Sequence, residues 1–219
     1  MLANRFSCVV FDMDGTLTQT NSLIFASFNH ITNKYLGRTF TPLEIISWFG
    51  PPEEGAIERL IGADRVDEVM DELCGYYQSR HSELAQMHAG IPDVLQLLHD
   101  RGVNLAVFTG KGTRTATITL DQFNIGSYFK LVVSGNDVVN HKPHPEGIQK
   151  IIRHFAVDPS DVLMIGDALA DVKASRAAGV KVAAVLWDSY DKDRMLAAEA
   201  DFVFHKVDAL YDWFHHHIN

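Results

Sequence analysis

Cysteine is scarce in this chain: Cys8 and Cys74 are the only two. Two thiols cannot supply the disulfide framework of a small secreted scaffold, so stability has to come from an apolar core. Cys8 lies in an apolar run and Cys74 in a helical pattern, which puts both on packing faces. Long apolar stretches are missing as well. No run approaches the ~20 residues of a membrane span, and Asp12 interrupts the apolar N-terminal segment, so no signal peptide is expected either. Basic residues are outnumbered, 19 Lys and Arg against 28 Asp and Glu, for a formal net charge of −9. A nucleic-acid partner would call for a basic stripe, which this balance argues against. There is no internal repeat and no low-complexity tract. With 47% apolar and 21% charged residues over 219 positions, the composition is that of a globular chain with one good core and room for a smaller lobe. A cytoplasmic protein with neither nucleic-acid nor membrane partners is expected.

What is present is concentrated near the start, in Phe6-Ser-Cys-Val-Val-Phe-Asp12-Met-Asp14-Gly-Thr-Leu-Thr18. An apolar, β-branched run of this kind reads as a buried strand of a parallel sheet. In open α/β sheets the ligand crevice lies beyond the carboxyl ends of the strands. Asp12 and Asp14 are therefore expected together at a site, where two carboxylates repel unless a cation or a proton intervenes. That points to a metal, to acid–base chemistry, or to both. The competing reading is an ordinary strand-to-turn junction, in which Asp and Gly are common.

The pattern then becomes helical for about seventy residues, a length consistent with a separate lobe. Ile24, Phe28, Ile31 and Tyr35 recur at helical spacing behind Asn21 or Ser22 as N-cap, and Gly37 closes the helix. A short helix follows Thr41-Pro42, a third spans 53–61, and a fourth runs from about 64 to 87. From Gly90 onward helices and strands alternate. Helices are expected over 91–101, 115–123, 145–155, 171–178 and 209–216, and strands over 103–108, 128–134, 162–165, 180–186 and 202–204. Such alternation implies right-handed βαβ units. The expected architecture is an α/β, Rossmann-like parallel-sheet core with helices on both faces, plus an inserted all-helical cap. The core would comprise 1–17 and 89–219, and the cap 18–88. His215–His217 reads as surface and not as a metal site.

Three later strands end in polar residues on the same sheet edge as Asp12. Thr109-Gly110 offers a hydroxyl and a backbone able to approach an anion closely, though it also describes an ordinary turn. Lys142-Pro143-His144-Pro145 holds one lysine on a stiff segment before a helix, with a solvated loop lysine as the alternative. Gly166-Asp167-Ala-Leu-Ala-Asp171 supplies a second pair of carboxylates, for which helix capping is the alternative.

Taken in order, these four segments resemble the signatures of the haloacid dehalogenase superfamily: Asp12-x-Asp14-Gly-Thr-Leu, Thr109, Lys142-Pro-x-Pro and Gly166-Asp167-x-x-x-Asp171. The resemblance covers the whole chain and points to the subclass of phosphoglycolate phosphatases, pyrophosphatases and β-phosphoglucomutases. Gly110 departs from the pattern, since many relatives carry asparagine there. The resemblance implies a Mg²⁺-dependent phosphatase of a small phosphorylated metabolite, phosphoglycolate in the first instance, working through an aspartyl-phosphate. It makes Asp12 the nucleophile and Asp14 the general acid and base. Mg²⁺ is held by the Asp12 carboxylate, the Asp14 carbonyl and Asp167, with Asp171 in the outer shell. Thr109, Gly110 and Lys142 bind the phosphoryl oxygens, and Lys142 helps to keep Asp12 ionised. The acid at position 14 argues against a dehalogenase, because a halide leaves without a proton. Phosphomutase and pyrophosphatase are the alternatives, followed by a non-catalytic binding protein. The break at Gly50-Pro51-Pro52-Glu53 is the expected cap contact, with linkers near 17–21 and 88–91 and Gly90 as hinge. The partner is a small-molecule phosphate, and the chain a monomer or homodimer.

Overall fold

The computed structural model describes residues 6–189 and 192–218; the outer limits expected for the core, residues 1 and 219, lie outside them. Along the chain come β1 (Cys8–Phe11), β2 (Thr18–Gln19), α1 (Asn21–Leu36), α2 (Pro42–Ile46), α3 (Glu53–Leu60) and α4 (Val66–Leu84). Next are β3 (Gln86–Met87), α5 (Ile91–Asp100), β4 (Asn104–Phe108), α6 (Thr113–Gln122), β5 (Leu131–Val133) and α7 (Glu146–Phe155). The last are β6 (Val162–Gly166), α8 (Leu169–Ala178), β7 (Lys181–Val185), α9 (Lys192–Ala197), β8 (Phe202–Phe204) and α10 (Val207–His217).

Six strands form one parallel sheet in the order β5-β4-β1-β6-β7-β8. Strand β1 is central because all four of its side chains are apolar and can be buried on both faces. Val9 and Phe11 enter one apolar cluster, which collects Leu95 of α5, Leu120 of α6 and Leu210 of α10. Cys8 and Val10 point the other way, into a cluster with Ile148 and Ile151 of α7 and Ala174 of α8. Helices therefore cover both faces, as the alternation of the sequence implied. Phe11 pairs with Val107 on one side and Ile165 on the other. The residues that follow these three strands, beginning with Asp12, Thr109 and Asp167, consequently emerge side by side at one edge.

Helices α1 to α4 gather around their own cluster, which includes Leu23, Phe28, Ile57, Leu73 and Tyr77. They enter and leave the core through a two-stranded antiparallel ribbon, Thr18 opposite Met87 and Gln19 opposite Gln86. This ribbon stops α4 at Leu84, where helical periodicity alone carried it to about residue 87. The N-cap of α1 is Thr20, not Asn21 or Ser22, and it makes no side-chain cap bond; its hydroxyl donates to Asp14 instead. The expected strand 128–134 shortens to Leu131–Val133, since a 3₁₀ turn occupies Gly126–Tyr128. Helix α9 and the 3₁₀ turns were not anticipated. Gly90 takes φ +88° before α5, where a Cβ would stand 3.1 Å from Val207. Among the described residues no helix is long and apolar enough to cross a membrane.

Candidate active site

At the carboxyl edge of the sheet lies a cavity of about 220 Å³. Asp12, Asp14, Thr109, Gly110, Lys142, Asp167 and Asp171 all line it, so every residue singled out at the strand ends is brought to one place. The Lys142 ammonium bridges two carboxylates, 2.8 Å from Asp12 and 2.7 Å from Asp171. It is not a solvated loop lysine: its side chain is 8% exposed. Its loop is tied down by Glu146, whose carboxylate accepts from the Val139 and Asn140 N–H groups. Those bonds hold the Glu146 carboxyl down at about 2.

Asp171 combines the two readings offered for it. One oxygen accepts from Lys142 and the other caps α8 by accepting from the Ala168 N–H. Asp167 accepts from the Thr16 hydroxyl at 2.9 Å. The turn after β1 can approach it only because residue 15 is glycine, at φ +85°, where a Cβ would fall 2.3 Å from an Asp167 oxygen. Carboxylate oxygens of Asp12, Asp167 and Asp171 lie within 4.8 Å of one another. Burial pushes the Asp12 carboxyl up to about 7; Lys142 pulls it down, and Asp171 and Asp14 push it back. Asp167 is raised well above the carboxylate range by burial and by its acidic neighbours. Lys142 is held above its ordinary range because Asp12 and Asp171 outweigh the burial that would lower it. Lys142 acts on Asp12 in the expected direction, drawing its carboxyl toward the ionised form against the burial that opposes it. Asp12 and Asp167, two crowded and buried carboxyls pushed up by burial, offer oxygen donors that a hard divalent cation would satisfy.

The Thr109 hydroxyl accepts from the Lys111 N–H, which leaves its own proton to donate. A side chain on Gly110 would begin 3.3 Å from the Gly50 carbonyl, tighter than an ordinary contact. The glycine at this position thus goes with the close seat of the segment 50–53 on the core.

Sequence reasoning missed Lys111. Its ammonium lies 3.3 Å from Asp14 and 4.0 Å from Glu53, with its side chain 2% exposed. The Tyr77 ring lies beneath it, 5.0 Å to the centroid. Burial alone would lower this lysine, but Asp14, Tyr77 and Glu53 outweigh it and hold the pKa above the ordinary range. The available signal was a second cation two positions after Thr109, but its partners Tyr77 and Glu53 are remote in sequence. Glu53 comes from the break expected to touch the crevice. Its carboxylate accepts from the Gly112 N–H at 2.7 Å and the Thr115 hydroxyl at 2.6 Å, capping α6 of the core from the first residue of α3. Tyr77 of α4 adds a bond to Thr119 at 2.9 Å.

The family model for haloacid dehalogenase-like hydrolases matches residues 9–185. Pyrophosphatase PpaX of Anoxybacillus flavithermus is 34% identical over 206 residues, spanning 94% of this chain and 95% of its own length. A predicted phosphoglycolate phosphatase from Haemophilus somnus 129pt superposes with a TM-score of 0.83 at 20% identity, covering 95% of this chain and 98% of that one. CbbY from Rhodobacter sphaeroides, solved in complex with phosphate, gives a TM-score of 0.80 at 20% identity, covering 94% and 96%. These two structural likenesses speak for the fold.

Proposed function

The chain belongs to the haloacid dehalogenase-like hydrolase family, and from that premise we propose that it is a Mg²⁺-dependent, cytoplasmic phosphatase of small phosphorylated metabolites. In this reading residues 18–88 form the cap, 1–17 and 89–219 the core, and the chain works as a monomer or homodimer. The observation that carries it is the pairing of Asp12 with Lys142 beside two further buried acids, in a cavity that also holds Asp14.

Asp12, Asp167 and the Asp14 carbonyl would hold Mg²⁺; Asp171, with both oxygens already engaged, would stand outside it. The cation would offset the repulsion between an anionic nucleophile and a phosphate dianion. Lys142 and the Thr109 hydroxyl orient the phosphoryl group and stabilise the charge spread over its oxygens. An Asp12 oxygen forms a bond to phosphorus as the ester P–O bond breaks, and the proton of the Asp14 carboxyl passes to the leaving oxygen. Water then attacks phosphorus and gives a proton back to Asp14. The bond to Asp12 breaks and inorganic phosphate leaves. Thr20 and Lys111 grip Asp14 from two sides, which suits a group that must present its proton in one direction. The cap segment seated over the cavity keeps bulk water out.

Pyrophosphate hydrolysis is a second reading, favoured by the name of the 34% identical relative. It uses the same residues with phosphate as leaving group. Release of inorganic phosphate from p-nitrophenyl phosphate with Mg²⁺ tests the core reading. Turnover that disappears in Asp12→Asn supports it, and equal rates in wild type and variant overturn it.

A further inference from the structure

Given the phosphatase reading above, we infer that the leaving-group half of this cavity selects phosphate monoesters of neutral, apolar alcohols and disfavours substrates that carry a second anionic group. The phosphoryl half is polar, but the wall supplied by the cap is mostly apolar, with Asn21 and Glu53 its polar side chains. It consists chiefly of Ile24, Phe28, Trp48, Phe49, Pro51 and Ala56. This wall is fixed: Trp48 packs edge-on against Phe28 at 5.5 Å and against Phe40 at 4.9 Å between ring centroids. Phe49 is 44% exposed, a large apolar side chain at the rim with surface left to cover.

Among the described residues lining the cavity, the cap contributes no Lys, Arg or His, and its one charged side chain is Glu53. The core contributes two cations. Lys142 is placed for the transferring group. Lys111 already lies between Asp14 and Glu53, one positive charge against two negative ones. A carboxylate or second phosphate in the leaving group would lose its water and find no free cation. An apolar alcohol loses nothing there and covers the aromatic wall. Glu53 is thus a specificity-determining residue as well as a clasp. Rejection by an unpaired charge is a common means of discrimination.

The test compares kcat/KM of the wild-type protein with Mg²⁺ on benzyl phosphate, 2-phosphoglycolate and pyrophosphate, following phosphate release. Benzyl phosphate and phosphoglycolate have alkoxide leaving groups of similar basicity, so the comparison reads the pocket and not the bond. Benzyl phosphate is expected to lead by on the order of 10²-fold. A lead under tenfold, or the reverse order, overturns the inference. Glu53→Gln removes the charge, keeps an oxygen to accept from the Gly112 N–H and leaves the Thr115 hydroxyl its bond to the Gly112 carbonyl; it should narrow the gap to phosphoglycolate at least tenfold. Phe28→Ala should narrow it through a loss on benzyl phosphate. A gap unchanged in both variants also overturns the assignment. Failure of the phosphatase reading looks different: no turnover of these three or of p-nitrophenyl phosphate.

Discussion

Replacing Lys111 with methionine removes a charge but keeps most of the side chain's volume. The ammonium lies 3.3 Å from Asp14 and 4.0 Å from Glu53. At the effective dielectric of ~20 that suits protein sites, those separations correspond to about 5 and 4 kcal/mol of attraction. Desolvating the ions offsets several kcal/mol of that sum. What the variant exposes is the other side of the balance, because two carboxylates 19% and 10% exposed are left facing each other without a counter-charge. Breaking a buried pair in this way costs roughly 3–5 kcal/mol. In a domain of this size each kcal/mol moves Tm by about 2–4 °C, so a drop on the order of 10 °C is expected by calorimetry. Lys111→Met combined with Glu53→Gln should recover part of that drop, since only one carboxylate remains. The two substitutions are neighbours and should couple non-additively. Activity adds a separate readout: kcat on benzyl phosphate should fall, because Asp14 loses one of the two groups that hold it in place. A Tm within 2 °C of wild type together with an unchanged kcat would refute the reasoning.

Asp12→Asn should lose turnover by at least ~10³-fold while circular dichroism stays native-like. Asp14→Asn should lose ~10²–10⁴-fold, the usual share of general acid–base catalysis, measured as kcat on benzyl phosphate, whose alkoxide takes up a proton as it leaves. The raised Asp12 carboxyl gives a signed pH effect on the chelated protein. The folded state titrates at about 7 and the unfolded chain near ~3.9, so the folded state binds more protons between them. This group's stability is present below ~4 and lost as pH rises to about 7. In EDTA, the Tm of Asp12→Asn relative to wild type should therefore climb across that window, and a flat difference would contradict it. Restoring Mg²⁺ should raise the wild-type Tm, with about 2.7 kcal/mol of stabilisation at a hundred times its Kd, and raise that of Asp12→Asn far less.

The site was legible in the sequence because its residues sit at the ends of apolar runs. β1, β4 and β6 are neighbours in the sheet, so Asp12, Thr109 and Asp167 follow directly from strand endings, with Lys142 from the loop beyond β5. Long helices were readable from periodicity for the same reason: the side that packs leaves a pattern. Contacts between the lobes left none. Lys111 acquires its meaning from Asp14, Glu53 and Tyr77, three residues brought to it by tertiary folding alone. The close seat of the cap is written in small residues, among them Gly110, Gly112 and Gly135, which look like ordinary turn glycines. At Gly112 a Cβ would stand 2.6 Å from a Glu53 oxygen. The ribbon Thr18–Gln19 with Gln86–Met87 is two residues wide, too short for any alternation to register. Asp171 shows how a competing reading can be right without displacing the first, since it caps a helix with one oxygen and holds Lys142 with the other.

The most direct test of the nucleophile is a crystal of the protein grown with Mg²⁺ and beryllium fluoride, which mimics a phosphorylated carboxylate. Beryllium bonded to an Asp12 oxygen, with fluorines against Lys142 and Thr109, is the expected result. Beryllium bonded to another side chain, with Asp12 bare, would contradict it.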